Sequence, residues 1–272
     1  MGDLEELGER IGQDEYDQLL TLAFTRRDEG LTRSALDCQF CRHRPFPPKA
    51  TKECNMPDTH LPTPAVWRGL PVPWVVRWTG EKVDPSLRLG WQEGRLAYRR
   101  ELPTDRRFGA LWYRNRTGRS GEPEFAEIHT GRQLACMTSG ICQVCGGNAA
   151  ETDGRIAWLL PGDEWPLLTN PTEPNLVPTP PTCRACWSLA ASSCPHLRTV
   201  GSVPVTAAAA VPAAAHGDLY RLGQAAPCAR NVMVPLTNHS ALRRMLAKQL
   251  IVELRDIRAA GDRTSAQVPG SG

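Results

Sequence analysis

The amino-acid sequence predicts an α+β fold, and three observations support this class. Alternating apolar residues between positions 74 and 128, such as Leu96 and Tyr98, predict a β-rich region. Apolar residues at helical spacing predict helices over residues 3–24 and 241–257. Gly and Pro together account for 47 of the 272 residues, which indicates many turns and short elements.

The chain begins with an acidic segment, residues 1–30, which we interpret as a helical head. It has nine acidic residues and three arginines, so its net charge is −6 and that of the remainder is +9. The start does not resemble a secretory signal, and no apolar stretch is long enough to span a bilayer. We therefore expect a cytoplasmic protein with no membrane partner, whose ten cysteines serve as metal ligands rather than disulfides.

A first cysteine cluster occupies residues 31–65. One C-x2-C pair is followed by a cysteine after twelve residues and by a histidine after five more, a spacing that predicts a Cys3His zinc finger. The predicted ligands are Cys38, Cys41, Cys54 and His60. His43 is an alternative ligand, although it lies close to Cys41, and a loop with scattered thiols would need no metal.

The β-rich region predicted at residues 66–135 carries many arginines. Nine arginines fall between Arg95 and Arg132 against five acidic residues, and Trp and Tyr residues are interleaved with them. Arginine pairs with phosphates and aromatic rings stack on bases, so this pattern indicates a nucleic-acid surface. The predicted contacts are Arg99, Arg100, Arg106, Arg107, Arg114 and Arg116. Strands with one polar face would show the same pattern, and a GC-rich coding genome would also enrich arginine.

The strongest local signal is a second cysteine cluster within residues 136–200. Two C-x2-C pairs are separated by 37 residues, which is typical of zinc sites because a two-residue gap lets both thiolates point to one centre. The predicted ligands are Cys142, Cys145, Cys183 and Cys186. Glycines after the first pair, a buried strand at 155–160 and a helix starting at the second pair predict a treble-clef-like zinc module. Four thiolates leave no position for water, which argues against metal catalysis.

The C-terminal part of the chain predicts one strand and one helix. Residues 200–205 are interpreted as a short strand, which Pro204 would restrict to a sheet edge. The apolar spacing over residues 241–257 predicts an amphipathic C-terminal helix, capped by Asn238 or Ser240.

Residues 175–178, Asn-Leu-Val-Pro, precede the second cysteine pair in a way that resembles the HNH nucleases. Those nucleases are also treble clefs, and a histidine on the hairpin after their first C-x2-C pair activates water. This chain has Thr-Asp-Gly at residues 152–154, and no histidine lies between Cys145 and Cys183. The resemblance therefore implies the fold and not hydrolysis. His129 could replace the base only if the chain folded back across the metal.

A broader resemblance, over residues 74–258, is to a family of uncharacterised actinomycete cysteine-rich proteins of zinc-finger type. The segments that carry it are 73–81, 97–98, 109–112, 123–125, 129–133, 142–146, 180–183 and 194–198. This resemblance implies a module built on cysteines and implies no substrate.

These features together predict a non-catalytic, zinc-stabilised binding protein whose partner is nucleic acid or another protein. The alternatives are a divergent HNH-like nuclease and a pure protein-interaction adaptor. The sequence carries no signal for the oligomeric state. The predicted segments, from the acidic head to a disordered tail, are 1–30, 31–65, 66–135, 136–200, 201–260 and 261–272.

Overall fold

The computed structural model describes residues 63–82, 87–165 and 174–260. These residues form a strand-rich α+β fold, and the α+β class predicted from the sequence is confirmed. The strands are β1 (Ala65–Trp67), β2 (Leu70–Val72), β3 (Val76–Trp78), β4 (Leu89–Gln92), β5 (Arg95–Tyr98), β6 (Arg106–Arg107), β7 (Ala110–Trp112), β8 (Pro123–Ile128), β9 (Ile156–Pro161), β10 (Leu176–Val177), β11 (Ser202–Tyr220), β12 (Pro227–Pro235) and β13 (Met245–Ala259). The helices are α1 (Thr130–Ser139), α2 (Arg184–Ser193), α3 (Pro195–Val200) and α4 (His239–Leu242). None of these helices is long and apolar enough to cross a membrane.

Three predicted segments lie outside the described residues. They are the acidic head, almost all of the segment 31–65 and the tail 261–272. The first cysteine cluster falls there, so its four ligands remain predictions: Cys38, Cys41, Cys54 and His60.

Most of the described strands join one mixed sheet. Its spatial order is β12-β11-β13-β7-β6, and β9 also pairs with β11 while β10 pairs with β13. The centre of the sheet is the antiparallel pair of long strands β11 and β13, registered from Val205 opposite Ala259 to Leu219 opposite Met245. Strands β1 and β2, β3 and β8, and β4 and β5 form separate two-stranded ribbons. The main hydrophobic core packs around Trp158, between the sheet and residues of α1 and α4.

The predicted C-terminal helix is wrong. Helix α4 has only four residues, and the chain continues as β13. Asn238 does cap α4, because its side-chain oxygen accepts a backbone N–H of the helix at 3.1 Å. Beyond it, Leu250, Val252 and Leu254 are fully buried and alternate with more exposed residues. The apolar residues of this segment satisfy both helical and strand spacing, and pairing with β11 favours the strand.

The short strand predicted at residues 200–205 is the beginning of the much longer β11. This strand continues through the alanine-rich segment to Tyr220, with β9 and β12 on one side and β13 on the other. The restriction of Pro204 to an edge strand is therefore wrong. Pro204 is compatible with an interior strand because pairing with β13 begins only at Val205, so Pro204 lies where that ladder ends.

Helix α1 connects this sheet to the second cysteine cluster. Its Gln133 is fully buried, and the side-chain amide exchanges two hydrogen bonds of 2.9 Å with the backbone of Leu250. Gln133 thereby fills the edge of β13 between its pairings with β7 and β10. The helix ends at Gly140, which has φ +63°, and the chain turns directly into the first cysteine pair.

Candidate metal centre

Four cysteine sulfur atoms meet in one buried group, as the spacing predicted. The cysteines are at most 7% exposed, and they are Cys142, Cys145, Cys183 and Cys186. Their sulfur atoms all lie within 4.8 Å of one another, and Cys145 Sγ is 3.8 Å from Cys183 Sγ. A tetrahedral ion with metal–sulfur bonds of about 2.3 Å would place its ligands about 3.8 Å apart. The group therefore fits a metal ion held by four thiolates.

The first cysteine pair lies on a tight turn between Cys142 and Gly147. Cys142 N donates to Gly147 O at 2.7 Å, and Gly146 N donates to Cys142 O at 2.9 Å. Gly146 has φ +78°, and a Cβ at this position would lie 2.8 Å from Trp74 Cδ1. Val144 N and Gly147 N each donate to a sulfur atom of the pair at 3.4 Å. These contacts fix the turn and its two sulfur atoms.

The second cysteine pair lies at the start of α2. Cys183 is the N-cap residue and Cys186 is in the first turn, with Cys186 N donating to Cys183 O at 2.9 Å. Cys183 N donates to Cys142 Sγ at 3.3 Å. The Gln143 side chain donates to two oxygen atoms of segment 180–182, both at 3.0 Å. A residue inside the first pair thus positions the segment that leads into the second pair.

Three of these thiols, those of Cys142, Cys183 and Cys186, have shifted pKa values. The hydrogen bond with the Cys183 thiol lowers the pKa of Cys142, and the same hydrogen bond raises the pKa of Cys183. Burial raises the pKa of Cys186. Protein groups alone therefore favour the thiolate of Cys142 and the protonated thiols of Cys183 and Cys186. Four thiolates at this spacing need a bound cation to balance their charge.

The other described cysteines do not join this group. Cys136 is fully buried in α1, and burial raises the pKa of its thiol. Cys194 is half-buried at the end of α2, and Cys228 is exposed on β12. His196, which follows Cys194 closely, is mostly exposed and its Nε2 lies 3.9 Å from Asp163 Oδ1. Neither Cys194 nor His196 belongs to the metal-ligating group found among the described residues.

The hairpin between the two pairs has Gly154 at the position where the resemblance to the HNH nucleases implies a histidine. Asp153 Oδ1 accepts the backbone N–H of Arg155 at 3.0 Å and so closes the turn. His129, the other candidate base, caps α1: its Nδ1 accepts Arg132 N at 3.2 Å, and its Nε2 lies 3.1 Å from Arg116 O. Burial, and then the charge of Arg132, lower the pKa of His129. Its ring is therefore neutral, and both nitrogen atoms are engaged.

The six arginines predicted to contact nucleic acid divide into two groups. Arg106 Nε donates to Glu101 Oε1 and Arg114 Nε donates to Asp105 Oδ1, each at 2.7 Å. Arg114 also lies over the Tyr98 ring, 5.0 Å from its centroid. These two half-buried arginines form ion pairs within the fold. The other four are exposed, and they are Arg99, Arg100, Arg107 and Arg116.

The structure contains a buried ion pair, Glu81 with Arg132, that the sequence did not predict. Glu81 is fully buried, and Arg132 Nη1 and Nη2 donate to its two carboxylate oxygens at 2.7 and 2.6 Å. Burial opposes ionisation, but the hydrogen bonds from Arg132 hold the pKa of Glu81 below its ordinary value. Arg132 Nη2 also donates to Val76 O at 2.6 Å, so the pair joins α1 to β3. No spacing pattern joins residues 51 positions apart, so no sequence signal could have identified this pair.

Comparison with known proteins does not assign this chain to a family. Comparisons of the chain with protein-family models, with curated proteins and with solved structures found no match. Both family resemblances therefore stay predictions, and the function has to be argued from the cysteine group and the surfaces around it.

Proposed function

We propose that this chain is a non-catalytic binding protein whose cysteine module is folded by a structural zinc ion. The observation that carries the proposal is the closed set of four buried sulfur ligands. Structural zinc sites use four protein ligands, whereas catalytic sites keep one position for water. The order of turn, hairpin, strand β9 and helix α2 around the sulfur atoms supports a treble-clef-like module.

Zinc is the metal that this donor set favours. Four thiolates in tetrahedral arrangement suit zinc or iron, and zinc carries no redox chemistry that a buried site would have to control. The bound ion would replace the protons of the thiols and hold the turn at Cys142 to the start of α2. Its free energy of binding would then be part of the folding free energy of this module.

Elemental analysis of the purified protein tests the metal. We expect one zinc per chain from the central group, lost in Cys183→Ala and retained in Cys228→Ala, the control at an exposed cysteine of β12. Iron in place of zinc would refute the metal assignment but keep the site. A folded wild-type protein with no metal at this group would refute the proposal.

The first cysteine cluster is proposed as a second zinc site. Its Cys3His spacing supports a finger formed by Cys38, Cys41, Cys54 and His60. Total zinc should then approach two per chain, and His60→Ala should lower it without removing the ion of the central group. An unchanged zinc content in His60→Ala would exclude the histidine as a ligand.

Nucleic acid is the partner that the surface favours. Arg99, Arg100 and Arg107 are exposed on neighbouring segments, close in sequence to the exposed Phe108. Arginines in this setting contact phosphates, and each contact makes binding more sensitive to salt. Binding of this kind does not require cleavage, and no histidine belongs to the metal-ligating group found among the described residues.

Fluorescence anisotropy with labelled single-stranded and duplex DNA tests this partner. Arg99→Gln/Arg107→Gln should lower the slope of log K against log salt by about 1.4 to 1.8, because each phosphate contact contributes about 0.7 to 0.9. Arg221→Gln/Arg230→Gln is the matched control at two other exposed arginines. Absence of binding would favour the protein adaptor, and plasmid cleavage in Mg²⁺ or Mn²⁺ would favour the nuclease.

A further inference from the structure

A second basic centre lies away from the cysteine group, where loop 116–121 covers the turn at residues 79–81. Gly80 N donates to Ser120 O at 3.0 Å, and Arg119 N donates to Glu81 Oε1 at 2.9 Å. The loop places Arg119 beside the buried pair of Glu81 and Arg132. Two arginines therefore lie beside one carboxylate, and only the Arg132 guanidinium is paired with it.

The Glu81 carboxylate has no acceptor capacity left for the Arg119 side chain. Its Oε1 accepts Arg132 Nη1 and Arg119 N, and its Oε2 accepts Arg132 Nη2 and Trp78 N. A carboxylate offers about four lone-pair sites, and all four are occupied here. The second guanidinium consequently needs another anion.

Several buried donors at this centre have no acceptor within the described part of the chain. They are Arg119 Nε, Arg119 Nη2, Arg132 Nε and Trp78 Nε1. Trp78 is only 7% exposed, and the Arg119 guanidinium lies 5.9 Å from the centroid of its ring. Leaving a buried donor without a partner is costly, and more so when it carries charge. Four such donors on three neighbouring side chains indicate a missing ligand.

The local charge supports the same conclusion. Burial and the nearby charge of Arg132 lower the pKa of Arg119, so its positive charge is held in an unfavourable environment. Two N–H groups in the first turn of α1 are already hydrogen-bonded and do not contact an anion at this centre. Thr130 N donates to Asn115 Oδ1, and Arg132 N donates to His129 Nδ1.

We propose that Arg119, Trp78 and the Nε of Arg132 bind an external phosphate group. The Nε and Nη2 of an arginine form a fork that matches two oxygens of a phosphate. A phosphate offers at least three oxygens and so suits these donors better than a carboxylate does. The phosphate comes either as inorganic phosphate or as a phosphodiester of nucleic acid. The site goes beyond the proposed function, because it requires neither the metal nor the exposed arginines.

Calorimetric titration of the full chain with inorganic phosphate, against chloride at equal ionic strength, tests the site. We expect saturable 1:1 binding, weakened about tenfold or more in Arg119→Gln, since hydrogen bonds to a charged group are strong. Trp78→Phe keeps an aromatic ring but loses the indole N–H, and it should weaken binding less than Arg119→Gln does. Arg230→Gln, at an exposed arginine of β12, should bind as the wild type does. If Arg119→Gln fails to fold, Arg119→Lys keeps the charge without the fork and should also weaken binding.

Two results would overturn the proposal. One is the absence of saturable phosphate binding to the folded wild-type protein, and the other is equal affinity in the Arg119 variants. A competition arm then identifies the source of the phosphate. Displacement of phosphate by a short single-stranded oligonucleotide in the wild type supports a phosphodiester ligand, whereas phosphate binding that the oligonucleotide leaves unchanged supports the free ion.

Discussion

The cysteine group and the Glu81 carboxylate are both buried anionic centres, and different groups balance their charge. Glu81 is compensated inside the protein by Arg132, with further donors from the backbone of Trp78 and Arg119. In the described part of the chain, backbone N–H groups and the other cysteines contact the four sulfur atoms, so the charge of four ionised cysteines would need a bound ion to balance it.

The two centres also hold the same region of the chain. Trp74 N and Val75 N donate to carbonyl oxygens of the cysteine turn at 2.9 and 3.0 Å, and Val76 O accepts from Arg132 at 2.6 Å. Residues 74–76 therefore connect the cysteine group, whose charge we propose is balanced by a bound ion, with a carboxylate whose charge Arg132 balances. We infer that metal removal and ion-pair removal destabilise the protein separately, which the following experiments can test.

Metal removal should have the largest effect. Chelation of the purified protein should unfold the cysteine turn and α2, because structural zinc contributes about 10–16 kcal/mol of apparent binding free energy in zinc-finger peptides. Hydrogen exchange should report loss of protection at residues 141–150 and 183–193, while β11 and β13 keep theirs. Unchanged protection around Cys142 after complete chelation would show that the fold there does not depend on metal.

Loss of the buried ion pair should have the next largest effect. Glu81→Gln leaves the Arg132 charge buried and unpaired, which should lower the free energy of unfolding by about 3–5 kcal/mol. The zinc content of the folded protein should stay unchanged, which distinguishes this effect from a metal effect. Urea denaturation measures the first quantity and elemental analysis the second. A Glu81→Gln protein that folds but has lost its zinc would contradict the separation of the two centres.

These two centres also differ in how far they could be predicted from sequence. The cysteine ligands come in local C-x2-C pairs, so their geometry follows from short-range spacing, as do β5, β9 and the start of α2. Glu81 is paired with Arg132, 51 positions away, and no local pattern marks that partner. The C-terminal helix failed for the same reason, because residues 245–259 satisfy two periodicities and only the distant strand β11 favours one.

A substitution at Gly146 tests the packing of the cysteine turn against Trp74, and its expected effect is smaller. Gly146→Ala should destabilise the protein by about 1–3 kcal/mol, because it combines a left-handed residue with a close contact to Trp74. Gly154→Ala is a matched control in the same module, since Gly154 has φ +82° but nothing within 4 Å of its Cβ position. Equal destabilisation in urea denaturation would mean that the contact with Trp74 does not matter.

The smallest expected effect is the pH dependence of the Glu81 contribution. The folded-state pKa of Glu81 lies below its ordinary value of 4.5, so the folded state binds fewer protons than the unfolded state in this range. The stability that Glu81 contributes is therefore present above about pH 4.5 and declines as the pH falls through its folded-state pKa.

The difference in unfolding free energy between wild type and Glu81→Gln should accordingly be constant from pH 7 to 5 and shrink towards pH 3. Protonation of the cysteine ligands releases metal over an acidic range in both proteins, and taking the difference removes that shared effect. Urea denaturation at each pH, with released zinc monitored in parallel, provides the measurement. A difference that stays constant down to pH 3 would mean that Glu81 does not stabilise the fold through its charge, and the contrast with the cysteine group would then rest on hydrogen bonding alone.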